Sequence, residues 1–281
     1  MSWDPRRLSL SHLSLQDHTP PEQAVAAAAA AGFGKIGIRV WSGPGVPVAP
    51  MLGDTPLLRE TLHVLAETGL GVLDVEFVSL RPDSTIDEAL PVLDAAHRLG
   101  ARFVLALIDD PDTERAITNF VRLCQEAAVR GLTISLEFMV YSQLPTLARA
   151  VQLLQRADQP NAVLVIDPLH LRRSGGSPAD LAAVPTALMP CVQLCDAPAQ
   201  PVWPEPATAR AEARSGRQLP GDGELPLLDL LDAVPASAAL SVETPVAALT
   251  GRSPLDRATT AFAAAARVLA AHADRTPAPT S

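Results

Sequence analysis

Short runs rich in Leu, Val and Ile alternate along this chain with longer Ala- and Leu-rich stretches broken by polar residues. The short runs lie near 8–13, 35–41, 71–79, 102–108, 132–138, 163–167, 190–196 and 239–243. Their nearly unbroken apolar character predicts parallel strands covered on both faces. The longer stretches predict helices near 21–32, 55–68, 86–99, 112–130, 144–156, 177–187, 225–233 and 254–272, the sixth and seventh of them weakly patterned. Thr19-Pro20-Pro21, Ser84 through Asp87 and Asp110-Pro111-Asp112 read as helix starts, and Gly32, Gly69, Gly100 and Gly131 as helix ends. Asp109 and Asp110 are expected to cap the fourth helix. A strand followed by a helix, repeated along the chain, predicts an α/β protein folded as a single (β/α)8 TIM barrel with its chemistry at the C-terminal strand ends.

A chain of 281 residues suits one such barrel. The expected division is a catalytic domain over 1–272 and a flexible tail over 273–281. No uninterrupted apolar window reaches about 18 residues, which argues against a membrane partner, and the amino terminus carries no signal-like segment. A cytoplasmic location is the expectation. The formal charge is −9, Lys35 is the single lysine, and the arginines form no basic stripe, so nucleic acid is not an expected partner. Cys124, Cys191 and Cys195 follow no paired spacing and read as small core residues. Segment 197–223, with five prolines, Trp203 and three arginines, is too long for a routine connection. It is expected on the catalytic face, as a substrate lid or as an ordered insertion.

Acidic residues at the strand ends change the picture most. TISLEFM leaves Glu137 after an apolar run, VLVIDPLH sets Asp167 three residues before His170, and LSVET closes a strand on Glu243. Carboxylates in such settings need a partner, water or a barrel mouth. Converging, they would offer hard oxygen donors to Mg2+ or Mn2+, with Gln193 as a fourth, neutral corner and Zn2+ or Co2+ as alternatives. Asp196 and Cys195 are the competing corners. Salt bridges or hydrogen bonds at the barrel mouth would account for the same acids. His12, Arg39, Glu76, His170 and Arg217 are candidate substrate contacts, Arg39 and Glu76 having an ion pair as their competing use. Trp41, Phe138 and Trp203 are candidate apolar walls, with core packing the better reading of Phe138. SGRQLPGDG is neither a Walker loop nor a dinucleotide fingerprint, so no nucleotide cofactor is implied.

Glu137, Asp167 with His170, the Gln193-to-Asp196 strand end, Arg217 through Gly223 and Glu243 together resemble the xylose isomerase-like TIM-barrel superfamily, within it the sugar phosphate isomerase/epimerase group. The resemblance spans nearly the whole chain. It implies a metal held by Glu137, Asp167 and Glu243 plus a strand-seven residue that is commonly His and here is Gln193. Gln at that corner resembles the members that act like 3-dehydroshikimate dehydratase. The resemblance further implies a small polyhydroxylated substrate, Glu137 and Glu243 as the acid/base pair with His170 assisting, an enediolate-type proton transfer, and a homodimer or homotetramer. The first expectation is an isomerase or epimerase of a sugar or related hydroxyketone. Its alternatives are a lyase of the dehydroshikimate or inosose type, and a non-enzymatic sugar-binding barrel.

Overall fold

A computed structural model describes residues 4–15, 19–40 and 51–275. Trp41 and the end of the tail lie outside the described residues. Eight parallel strands close into a barrel in sequence order: β1 (Leu8–Leu10), β2 (Lys35–Arg39), β3 (Gly71–Leu80), β4 (Phe103–Ile108), β5 (Thr133–Leu136), β6 (Ala162–Ile166), β7 (Cys191–Leu194) and β8 (Ala239–Val242). Around them run α1 (Pro21–Ala31), α2 (Pro56–Thr68), α3 (Ile86–Arg98), α4 (Thr113–Val129), α5 (Leu147–Ala157), α6 (Pro168–Arg173), α7 (Pro206–Ser215), α8 (Leu227–Ala233) and α9 (Pro254–Arg275). Among the described residues, no helix is long and apolar enough to cross a membrane.

Two apolar zones hold this arrangement together. Outward-facing strand residues such as Ile36, Val104, Ile134, Leu164 and Leu240 pack against the helices in the main core. A smaller cluster, including Leu73, Phe103, Leu105, Val163, Val165 and Cys191, joins alternate positions of the strands. That alternation is the two-residue period of a strand, and it marks these residues as the filling of the barrel. Continued upward, it delivers Glu137, Asp167, Gln193 and Glu243 to the C-terminal mouth. On β3 a register shift opposite Ile36 and Gly37 pairs Asp74 with Gly37 and Glu76 with Arg39. A side chain at position 37 would meet Asp74 Oδ1 at 2.8 Å, so glycine there makes room for the buried Asp74 carboxyl.

The expected boundaries change where local chemistry outweighs periodicity. α4 is capped by Asp112, whose side chain accepts the Glu114 and Arg115 amides, rather than by Asp109 or Asp110. Asp110 instead binds the Arg115 guanidinium, and Asp109 accepts from the Ser79 hydroxyl. The sixth helical position is also different. α6 starts at Pro168, immediately after the strand, and 177–187 contains two short 3-10 turns, Pro178–Ala183 and Thr186–Leu188. Segment 197–223 is ordered and contains α7, which lacks a strong apolar stripe and has only Ala209 and Ala213 buried. β1 ends at Leu10, which leaves His12 in a 3-10 turn.

Candidate metal centre and active site

Asp167 sits at the point where β6 becomes α6. Its carboxylate caps that helix by accepting the amides of Leu169 and His170, at 2.7 and 3.3 Å. The same turn brings His170 back over the barrel, with Nε2 3.7 Å from Glu137 Oε1 and 3.9 Å from Asp167 Oδ2. One potential ligand atom from each of the three lies within 4.8 Å of the others, and all three residues are buried.

Arg217 closes the opposite side. Its Nη1 donates to Asp167 Oδ2 at 2.5 Å and its Nη2 to Glu243 Oε1 at 2.7 Å, while Nε is held by the Ala213 carbonyl. Gln193 Nε2 donates to Glu243 Oε2 at 2.8 Å, and Gln193 Oε1 is buried without a hydrogen bond. Next to this set, Arg39 binds Glu76 Oε2 at 2.6 Å, and Ser11 Oγ lies 2.9 Å from Glu76 Oε1 and 3.1 Å from Glu243 Oε2. Arg39 and Glu76 thus form the ion pair that was their competing use, and both also line the cavity.

Charge in this site is unbalanced. Buried Glu76, Glu137, Asp167 and Glu243 face the guanidinium groups of Arg39 and Arg217. Burial, together with the Glu243 and Asp167 charges, pushes the Glu137 carboxyl well above its ordinary range. Burial likewise raises Glu243 to about 7, although Arg217 opposes it. Burial also works against ionised Asp167, but Arg217 and His170 hold it below the usual carboxylate range. His170 is pushed down to about 4 by burial, so near neutral pH its imidazole is uncharged and keeps a lone pair for a metal. An excess of buried carboxylate, a neutral imidazole and an unpartnered amide oxygen together fit a divalent cation. The acidic and histidine cluster is able to hold one.

Above these groups opens a cavity of about 320 Å³, lined by Glu137, His170, Gln193, Glu243, Arg39, Glu76 and Arg217. Phe77, Leu105, Leu107 and Met139 supply apolar wall. Sequence reasoning passed over Tyr141, Arg81, Arg210 and Arg214, which also line it. Tyr141 stands edge-on to His170 with ring centroids 5.6 Å apart, and the Arg210 guanidinium lies 5.0 Å from the Tyr141 ring centroid. The clue available in the sequence was the spacing of Arg210, Arg214 and Arg217 within the unusually long connection.

Several expected contacts fall elsewhere. His12 is not among the lining residues, because its Nε2 meets the Thr19 carbonyl at 2.8 Å and its Nδ1 the Arg39 amide at 3.1 Å. Trp203 is 56% exposed and forms no wall of the cavity, whereas Phe138 is core. Asp196 is not a metal corner, since its carboxylate is taken up by the amides of Ala197, Gly221 and Leu225. Cys195 is buried in the core, with its sulfur 3.1 Å from Arg217 Nη1. Burial pushes its thiol well above the ordinary range, which disfavours a ligating thiolate.

A closed β/α barrel with a buried acid–histidine cluster under its C-terminal mouth defines the class. Residues 25–272 match the xylose isomerase-like TIM barrel family, and the chain belongs to that family. Over 121 residues it is 34% identical to a 3-dehydroshikimate dehydratase of Pseudomonas aeruginosa, a match that covers 41% of this chain and only 18% of that protein. Its fold is similar to that of a xylose isomerase-like TIM barrel/4-hydroxyphenylpyruvate dioxygenase fusion protein, with a TM-score of 0.76 and 20% identity over 97% of this chain and 45% of the fusion. It is also similar to the IOLI protein, solved with a bound zinc atom, with a TM-score of 0.77 and 17% identity over 94% of this chain and 98% of that one.

Proposed function

We propose that the chain is a divalent-metal-dependent lyase that removes water from a carboxylated cyclic hydroxyketone of the 3-dehydroshikimate type. The carrying observation is that one cavity brings Arg210, set against the Tyr141 ring, together with Glu137, His170 and Glu243. A substrate carboxylate would pair with the Arg210 guanidinium there, a contact that a neutral sugar does not offer. The partial match to the Pseudomonas aeruginosa dehydratase points the same way.

Glu137, Asp167, Gln193 and Glu243 would hold the ion, with His170 positioned as a further donor. A bound divalent ion supplies Lewis acidity towards the substrate's carbonyl and neighbouring hydroxyl oxygens. With the charge of a bound cation to offset the burial and the neighbouring acids that raise its carboxyl, Glu137 would be ionised and able to take the proton from the carbon next to the ketone. Glu243, which faces the same cavity, is the partner that delivers a proton to the departing β-hydroxyl. Uncharged His170 orients a hydroxyl rather than acting as a standing proton source. Phe77, Leu105, Leu107 and Met139 keep bulk water from the reacting face.

A second reading, isomerase or epimerase, is favoured by one observation: Glu137 and Glu243 both face the cavity and can serve as a pair that removes and returns a proton. Incubating the Mn2+-loaded protein in D2O with 3-dehydroshikimate and with ketohexoses separates the two. An aromatic product one water lighter than the cyclic acid supports the lyase. Exchange of the α-proton without water loss, on the neutral sugars alone, overturns it.

A further inference from the structure

Arg173, at the end of α6, is 1% exposed and ranks among the largest fully buried side chains of the protein. A buried guanidinium is costly unless its partners are well placed. Among the described residues, its side-chain hydrogen bonds all go to segment 197–216. Nε donates to Glu212 Oε2 and Nη2 to Glu212 Oε1, both at 2.6 Å, and Nη2 also reaches the Pro198 carbonyl at 3.0 Å. The Arg173 carbonyl accepts from the Trp203 amide at 2.7 Å, and neighbouring Arg172 donates to the Ala199 carbonyl at 2.8 Å. One helical turn thus grips the long connection at several points.

Each end of this grip leads to residues that line the cavity. α6 is the six-residue helix that Asp167 caps and that carries His170. α7 carries Glu212, and the next residue, Ala213, accepts from Arg217 Nε at 2.9 Å. Arg210 and Arg214 flank Glu212 on the same helix and line the cavity. We infer that the Arg173–Glu212 pair is a positioning joint that fixes the arginine-bearing helix at its working distance from the Asp167–His170 turn. Neither residue lines the cavity, so the pair acts through Arg210, Arg214 and Arg217 and not on substrate directly. The inference rests on the proposed reaction only for its kinetic readout, because the geometric coupling stands without it.

The test compares Glu212→Gln, Arg173→Lys and the double variant Arg173→Met/Glu212→Gln with wild type, all loaded with Mn2+. Hydrogen exchange is followed in 197–216, and steady-state kinetics are measured on 3-dehydroshikimate. Loss of the joint is expected to speed exchange in 197–216 about ten-fold and to raise KM about ten-fold with a smaller change in kcat. Arg173→Lys, which keeps the charge, recovers part of both. The double variant is expected to be no worse than Glu212→Gln, since two residues that act as one joint do not add. Unchanged exchange in 197–216 overturns the joint, as does a rise in KM that appears equally when distant surface ion pairs are removed. If wild type turns over no cyclic hydroxyketone, the reaction reading fails, and the exchange rates alone decide the joint.

Discussion

Arg217 Nη1 and Asp167 Oδ2 meet at 2.5 Å in the barrel mouth, with both side chains at most 2% exposed. Because the second arm of the same guanidinium holds Glu243, Arg217 ties the end of β6 to the end of β8. Removing one member of a buried pair strands the other in a medium that solvates it poorly. Arg217→Met is therefore expected to lower the unfolding free energy by about 3 kcal/mol in metal-free buffer. Urea denaturation measures this, and a loss below about 1 kcal/mol, the scale of an exposed pair, would contradict the assignment.

The proposed metal corners make a second, separable prediction. Glu137→Gln replaces an anionic donor with a neutral one and should weaken Mn2+ binding at least about ten-fold by calorimetry. Gln193→His puts a nitrogen donor where an amide oxygen now lies, and should shift preference towards Zn2+ over Mn2+. An unchanged Zn2+/Mn2+ affinity ratio would remove residue 193 from the first coordination sphere.

Much of this site was legible because barrel chemistry follows strand ends. An ionisable residue that follows an apolar run, as at Glu137, Asp167 and Glu243, is conspicuous in the chain, and the two-residue strand period then fixes the direction it faces. His12 carried a similar signal, but its ring nitrogens are bonded to backbone groups and it is not among the residues that line the cavity. Nothing in LSHLS shows that a turn would follow Leu10 and bring backbone groups to both ring nitrogens. The arginines of α7 were obscured for another reason. Their helix has almost no apolar face, so its position depends on a long-range ion pair, Arg173 with Glu212, separated by 39 residues. Local periodicity does not contain that information.

The proposed reaction makes Arg210 the residue that reads substrate charge. Arg210 lies against the Tyr141 ring and so reaches the cavity with part of its side-chain freedom already restricted. Arg210→Ala should raise KM for a carboxylated hydroxyketone by about ten-fold or more, while leaving Mn2+ affinity within about two-fold. The corresponding methyl ester, lacking the charge, should be insensitive to the substitution. Equal losses on acid and ester would mean that the side chain shapes the wall without recognising charge.

Away from the site, Asp110 supplies a pH-dependent term with a definite sign. Its buried carboxylate receives Arg115 Nε at 2.6 Å and Nη2 at 2.7 Å, and also accepts the Asp112 amide. The Arg115 hydrogen bonds, against an opposing effect of burial, hold its pKa below the ordinary value. A carboxyl whose folded pKa is depressed binds fewer protons than it does in the unfolded chain, so its contribution is present above the unfolded pKa of about 3.9. It is lost as pH falls through the lower, folded value. Asp110→Asn should accordingly be less stable than wild type at pH 7, and the gap should close as the pH drops below about 4. Paired urea melts between neutral and strongly acidic pH measure it, and a gap that stayed constant across that range would assign the loss to packing or the Asp112 hydrogen bond instead of the charge on Asp110.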